Sequence, residues 1–307
     1  MPDDGALVRE QRAPLVATKC RLQRVGLVIH AGRQGSRDAA AGLVDWFRQR
    51  DIFTRFLEGE PVAGDQEHAV ERFAEDLDLV VSVGGDGTLL RAARVASELE
   101  VPVLGLKVGR LGFLTEVEPD EAPNLLSRIV EEETMLIEER MAIEAYADGA
   151  PWQHAEWALN EVIVEKRARH HLITLAAFIA GEHVTTFSAD GVIVATPTGS
   201  TAYSFSARGP IVSPRVASML LTPVSPHMVF DRSMVLSDDE GVLLEVRGDE
   251  PGLLSADGRP GLELPIGSRV RIERSRRTAR LVRRSGSPSF FSLLREKFSL
   301  PGQAPHS

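Results

Sequence analysis

One cysteine, Cys20, in 307 residues leaves no partner for an intramolecular disulfide and no thiolate set for a zinc site, and it suits a reducing cytoplasm. Basic residues are also few: 35 Lys and Arg stand against 44 Asp and Glu, a formal charge of -9 that repels polyanions over most of the surface and makes nucleic acid a poor partner. Long apolar runs are missing as well. The longest, Leu172 to Ala180, contains Thr174 and falls far short of the ~20 residues that cross a bilayer. Residues 1–22 mix Asp3, Asp4, Arg9, Glu10, Arg12 and Lys19 among apolar residues, which breaks the core a signal peptide needs and reads as a ragged terminus. A soluble, cytoplasmic protein that binds small molecules, without a membrane partner, is expected. No internal repeat or low-complexity segment is present.

Several catalytic signatures are absent too. The chain has no P-loop G-x-x-x-x-G-K-[ST], and Gly85-Asp86-Gly87-Thr88-Leu89-Leu90 lacks the third glycine of the dehydrogenase G-x-G-x-x-G. Its eight histidines show no H-E-x-x-H or other ligand spacing, so a dedicated protein metal site is not expected. Ser200 is not in the G-x-S-x-G of a hydrolase elbow.

What is present is enough apolar residue, 43%, for a sizeable core, and a length that suits two domains. From Arg24 to about Glu133 short apolar runs alternate with segments of helical period, as in βα units of a mostly parallel sheet. Val25 to Ile29, Ile52 to Leu57, Leu77 to Val83 and Val103 to Leu106 read as strands. Ser36 can cap a helix whose apolar face is Ala40, Leu43, Val44 and Phe47; a second helix follows Leu89 to Leu99, and a third spans Pro119 to Glu131. Beyond Thr134 the runs are short and β-like: Met141 to Tyr146, Val162 to Glu165, Leu172 to Ile179, Gly191 to Ala195, Val242 to Val246 and Arg269 to Ile272. Asp148-Gly149, Gly181 and Asp257-Gly258 punctuate them as turns. Phe290, Phe291, Leu294 and Phe298 form a helical stripe suited to packing back on the first domain.

The turn Gly84-Gly85-Asp86-Gly87-Thr88 lies between a strand and a helix, where backbone N–H groups converge on phosphate oxygens and the helix dipole favours negative charge. A carboxylate there can hold magnesium or accept the proton of an attacking hydroxyl. The plainer alternative is an ordinary turn with a capping aspartate. Lys107 and Arg110, among the glycines of Gly105 to Gly112, either neutralise phosphate or are solvated surface charges. Thr196 to Ser204 packs hydroxyls and Tyr203 beside a strand; it suits a nucleoside, and it equally suits a helix start capped by Thr198 or Ser200. Asn160-Glu161 offers an amide and a carboxylate to vicinal ribose hydroxyls, or is surface polarity.

Taken together, Gly84 to Thr88, Gly109-Arg110-Leu111-Gly112-Phe113-Leu114, Asn160-Glu161, Asp190-Gly191 and Thr196 to Tyr203 resemble the NAD kinase family in residue type, order and spacing, from about Val25 to Phe298. The glycine turn alone is shared with diacylglycerol, sphingosine and phosphofructo-kinases, whereas Asn160-Glu161 and Thr198 to Tyr203 are far more specific. The resemblance implies a Rossmann-like α/β nucleotide domain over 22–133 with 288–305 packing back on it, and a β-rich sandwich over 134–287 that binds NAD. It implies transfer of the terminal phosphate of ATP, or of polyphosphate, to the 2′-hydroxyl of the adenosine ribose of NAD. Asp86 would be catalytic. Gly84, Gly85, Thr88 and Arg91 would bind phosphate, and Gly87, Asn160, Glu161, Asp190, Thr198, Thr201, Ala202, Tyr203, Ser206 and Arg259 would bind NAD. Mg²⁺ would be carried by the phosphates and Asp86, and a homodimer or homotetramer would share sites between subunits. A lipid kinase and a silent NADP(H)-binding sensor are the competing functions. Two departures from the family pattern are Lys107, where an asparagine is usual, and Arg208, where glycine is usual. Arg208 is expected to occupy a place that needs only close packing, without a left-handed backbone.

Overall fold

The structure is a computed structural model that describes residues 15–30, 32–57, 67–68, 73, 76–109, 112–115, 117–148 and 156–300. Arg110 and Leu111 of the second glycine loop, Gly149 of the Asp148 turn, residues 1–14 of the terminus and 301–305 of the C-terminal segment lie outside the described residues.

The apolar runs of the first half form one eight-stranded sheet, in the order 16–19, 134–140, 279–283, 103–107, 79–84, 24–29, 53–57, 67–68. Arg24–Ile29, Phe53–Leu57, Leu79–Gly84 and Val103–Lys107 pair in parallel. Alternate side chains leave by opposite faces. Leu27, Ile29, Val81 and Val83 meet Leu43 and Phe47 of the helix Gln34–Arg48 and Leu126 and Ile129 of the helix Ala122–Glu132. Val28 and Val80 meet Leu89, Ala92 and Ala96 of the helix Asp86–Ser97 on the other side. Because both faces are covered, these strands read as continuous apolar runs rather than alternating ones. Ser36 is not the cap of its helix: the helix begins at Gln34, and the Ser36 hydroxyl is buried inside the first turn with no hydrogen-bond partner among the described residues.

The second half is a sandwich of two six-stranded antiparallel sheets, ordered 234–237, 218–224, 191–195, 161–166, 252–256, 262–264 and 182–189, 173–179, 242–247, 269–274, 143–147, 156–158. Val162, Val164, Val192 and Val194 of one sheet close on Leu175, Leu244, Val246 and Ile272 of the other. The outer face of the first sheet carries Ile163, Ile193, Ala195 and Leu220, with Ala207 and Val212 packed against them.

Three of the eight strands of the α/β sheet come from outside residues 24–133, the span of the first half's apolar runs. Thr134–Arg140 and Ala279–Arg283 pair antiparallel with each other, and both fall inside the span read above as the β-rich domain. Val16–Lys19, read as part of a ragged terminus, pairs with Thr134–Arg140 at the sheet edge. The C-terminal helix Phe290–Lys297 bridges the halves: Phe113 lies 6.3 Å from Phe290 and 6.1 Å from Phe298, and Phe205 lies 4.8 Å from Phe298.

Arg208 contradicts its expectation, because its φ is +66°. The short helix Tyr203–Ser206 ends with Arg208 N–H donating to the Phe205 carbonyl at 3.0 Å and Gly209 N–H donating to the Ser204 carbonyl at 2.7 Å. That pair of bonds is a Schellman cap, whose left-handed residue is usually glycine; an L side chain there costs roughly 1 to 2 kcal/mol. Arg208→Gly should therefore raise stability by roughly 1 kcal/mol and Tm by roughly 2 °C, after the extra backbone entropy of glycine is subtracted. A thermal melt showing an equal or lower Tm would contradict this account of the cap.

Candidate functional site

The strand Leu79–Gly84, buried along its whole length, delivers the glycine turn to the C-terminal edge of the parallel sheet, where α/β proteins bind ligands. Gly84 is required by space: a Cβ there would lie 2.4 Å from Thr88 Oγ1. Gly85 precedes the helix, and Asp86 is its first residue, with no side-chain cap on the helix. The capping-aspartate alternative is thereby removed.

The Asp86 carboxylate points across to the second glycine loop instead. Its Oδ2 accepts Phe113 N–H at 2.8 Å, and its Oδ1 accepts Leu114 N–H, Thr115 N–H and the Thr115 hydroxyl, each at 3.2 Å. This approach requires Gly112, since a Cβ at that position would lie 1.9 Å from Oδ1. A carboxylate has about four acceptor directions. Oδ1 is therefore filled, whereas Oδ2 has one donor and one direction left for a ligand.

Beside Asp86 lies a cleft of about 570 Å³ lined by Gly85, Gly87, Thr88 and Arg91 and, from the turn before the helix Gln34–Arg48, by His30, Gly32 and Arg33. Arg33 Nη1 donates to the Val108 carbonyl at 2.8 Å and Arg91 Nη2 to that of Ile29 at 2.6 Å, so the two guanidiniums are braced on the ends of the two strands that flank Leu79–Gly84. The reading of the sequence included Arg91 but missed His30 and Arg33. The available signal was a second passage from strand to helix, with His30, Gly32 and Arg33, at the same sheet edge. Lys107 is paired with Glu118 and so does not serve as a free phosphate cation.

A second cluster forms where the strand Glu161–Lys166 begins. Asn160 and Glu161 are both buried. The Asn160 carbonyl accepts Thr196 N–H at 2.8 Å, and Gly199 passes so close that a Cβ there would lie 2.0 Å from the same oxygen. Thr196, rather than Thr198 or Ser200, organises the following 3-10 turn: its hydroxyl donates to the Leu159 carbonyl at 2.5 Å and accepts Gly199 N–H at 3.1 Å. Ser200 instead bonds both backbone groups of Val212. The close contact thus joins Asn160-Glu161 to Thr198, Thr201, Ala202 and Tyr203, motifs that lie far apart in sequence. Tyr203 is half exposed and Ser206 is exposed on the same short helix.

Burial, and secondarily the charge of Asp257, push the Glu161 carboxyl up to about 8, against a hydrogen bond from Tyr203 N–H. Its Oε2 is buried and takes no partner among the described residues. Asp190 pairs with Lys166. Arg259 is occupied by its surroundings: it donates to the carbonyls of Trp157 at 2.7 Å and Ala256 at 3.0 Å, and pairs with Glu156 at 2.6 Å.

The two clusters are linked by a buried ion triad. Glu138 accepts from Arg140 Nε at 2.8 Å and from Arg283 Nε at 2.7 Å; Arg140 reaches Thr198 Oγ1 at 3.3 Å, and Arg283 reaches the Leu114 carbonyl at 3.4 Å. Burial alone would raise the Glu138 carboxyl, but Arg283 and Arg140 outweigh it and hold the group below the usual range. Such a network fixes geometry rather than adding much stability.

Residues 25–134 match the pattern of the ATP-NAD kinase N-terminal domain and residues 159–284 that of the ATP-NAD kinase C-terminal domain. This chain belongs to the NAD kinase family. Among its NAD kinase relatives, NAD kinase 2 of Streptomyces coelicolor is 39% identical over 302 residues, covering 94% of this chain and all of that one. The NAD kinase of Heliobacterium modesticaldum is 41% identical over 281 residues, 89% of this chain and 97% of its own. Among solved structures, an Archaeoglobus fulgidus NAD kinase in complex with ATP superposes with a TM-score of 0.70 at 25% identity, over 90% of this chain and 98% of that one. Yeast NADH kinase complexed with NADH shares the fold at a TM-score of 0.81 and 23% identity, over 94% of this chain and 90% of its own.

The contact between Gly112 and Asp86 gives the NAD kinase assignment a local test. If Asp86 is the reacting carboxylate, Gly112→Ala should lower kcat by roughly 100-fold, the effect of displacing such a group by about 1 Å. Circular dichroism should show the fold retained. A variant turning over near the wild-type rate would mean that the Asp86 position does not depend on this loop.

Proposed function

We propose that this chain transfers the terminal phosphate of ATP to the 2′-hydroxyl of the adenosine ribose of NAD, giving NADP. The observation that carries the reading is the Asp86 carboxylate, held by Phe113, Leu114 and Thr115 with Oδ2 still open, at the head of a helix beside an arginine-lined cleft. The ATP phosphates fit the cleft of Gly85, Thr88, Arg33 and Arg91, where backbone N–H groups and the helix dipole favour negative charge. The dinucleotide fits the cluster of Asn160, Glu161, Thr201, Ala202 and Tyr203, with Asp190 and Ser206 at its margin. Thr198, whose hydroxyl accepts from Arg140 and keeps its own O–H to donate, belongs to the same cluster, whereas Arg259 acts through Glu156 rather than as an unengaged donor. Asp86 Oδ2 accepts the hydrogen bond of the 2′-hydroxyl, aligns its oxygen on the phosphorus and takes its proton as the bond to phosphorus forms.

Among the described residues no three His, Cys, Asp or Glu side chains converge on a metal position. One carboxylate beside a phosphate cleft does fit magnesium, which binds through one or two carboxylates and substrate phosphates. The substrate phosphates would hold the ion next to Asp86, whose open Oδ2 direction goes to the 2′-hydroxyl, and the chemistry it would supply is to neutralise charge on the transferring phosphate. A homo-oligomer in the cytoplasm completes the reading. It is supported by Val229, Phe230 and Val235, large apolar side chains exposed on and near the edge strand Met234–Ser237, and by the absence, among the described residues, of a helix long and apolar enough to cross a membrane.

Asp86→Asn replaces one acceptor oxygen with an NH₂ that faces backbone donors. NADP formation should fall by roughly 10²- to 10⁴-fold, the span of general acid–base contributions, while NAD binding stays measurable by calorimetry. A rate near wild type would remove Asp86 from the reaction.

A further inference from the structure

Asp257 precedes Gly258 in a turn where both residues are left-handed, with φ of +49° and +70°. That conformation turns the Asp257 carboxylate back over the end of the neighbouring strand. There Oδ2 accepts Leu159 N–H at 2.8 Å, and Oδ1 accepts Asn160 N–H at 2.8 Å and Glu161 N–H at 3.1 Å. In return, Asp257 N–H donates to the Glu161 carbonyl at 3.0 Å. Three consecutive backbone donors next to the candidate dinucleotide site are therefore satisfied by one side chain.

We propose that Asp257 is a positioning residue of the acceptor site: its carboxylate fixes the Asn160-Glu161 backbone and makes the Glu161 side chain a hydrogen-bond donor toward the dinucleotide. The inference rests on the reading that Asn160 and Glu161 contact NAD.

The charged and titratable groups around Glu161 support this assignment. The turn after Gly252–Ala256 presents Asp257, with Arg259 beyond it; the helix Tyr203–Ser206 presents Tyr203, whose phenol is raised by burial and by Glu165, Asp190 and Glu161. The strand Gly191–Ala195 and the turn 196–201 contribute no titratable side chain to this face. Burial pushes both Asp257 and Glu161 up, but only Asp257 has three N–H donors that favour its ionised form. We therefore place the proton of the pair on Glu161. With its charge removed, the unpartnered Oε2 can donate to a hydroxyl or ring nitrogen of the ligand.

Calorimetry of NAD binding without ATP, from about pH 6.5 to about 9.5, tests the proposal around the Glu161 value of about 8. The group is protonated below that value and ionised above it, so affinity should be full at low pH. It should fall roughly five- to tenfold as pH rises through about 8, the loss expected for one hydrogen bond. Glu161→Gln, whose amide does not titrate, should flatten the profile. Asp257→Asn should weaken NAD binding at pH 7 roughly tenfold and move the midpoint to lower pH, since the charge that raised Glu161 is gone. A purely structural Asp257 would lower Tm and leave the midpoint in place, which overturns the proposal. If Asp257→Asn does not fold, the wild-type and Glu161→Gln profiles decide: a flat wild-type profile, or a pH dependence that Glu161→Gln retains, overturns it. Asn160→Ala separates the two levels. If it binds NAD as wild type does, the acceptor-site reading itself fails; if it loses NAD while Asp257→Asn leaves the profile unmoved, only the positioning role fails.

Discussion

The arrangement of the site depends on one kind of interaction, an aspartate carboxylate that accepts the N–H groups of three consecutive residues in a loop or where a loop enters a strand. Asp86 does this for Phe113, Leu114 and Thr115, and Asp257 does it for Leu159, Asn160 and Glu161. Loops that carry ligand-binding groups have no ladder partners, and backbone donors removed from water without an acceptor are costly. In both places a side chain replaces the missing ladder. The loop is thereby fixed to an element of the scaffold, and the carboxylate is oriented by the loop it holds.

The two clamps are not independent bodies. The Glu138 triad ties the carbonyl of Leu114, within the Asp86 clamp, to the hydroxyl of Thr198, beside the Asn160 contact. Thr134–Arg140 and Ala279–Arg283, the strands that carry this triad, belong to the α/β sheet although their sequence neighbours enter the sandwich. That crossing of the chain lets a rigid sheet set the spacing between the arginine-lined cleft and the Asn160-Glu161 cluster.

Much of this was legible in the sequence where burial leaves a periodic trace. The strands at 24–29, 79–84 and 103–107 are covered on both faces, and their apolar runs say so. The glycine turn, Asn160-Glu161 and Thr198 to Tyr203 carried the family resemblance because their residue types follow ligand chemistry. What escaped was set by contacts distant in sequence. Nothing near Gly112 announces that a Cβ there would strike Asp86, and nothing near Asp257 announces three donors about a hundred residues earlier. Ser36 has the residue type of a cap, but the helix starts before it. Val16–Lys19 is short and has only Val16 as a strong strand former beside Thr18, and it is a strand because Thr134–Arg140 offers it an edge. Arg208 accepts a left-handed backbone because the Schellman bonds to Phe205 and Ser204 over-determine the turn.

The central claim is that a clamped Asp86 faces a ribose hydroxyl on one side and donor phosphate on the other. Its most direct test is the product formed by the purified protein with NAD, magnesium and ATP, identified by mass and by the position of the new phosphate. The account predicts NADP phosphorylated on the 2′-oxygen of the adenosine ribose, with one ATP consumed for each NADP formed. Phosphorylation of diacylglycerol without NADP, or dinucleotide binding with no turnover on either ATP or polyphosphate, would contradict it.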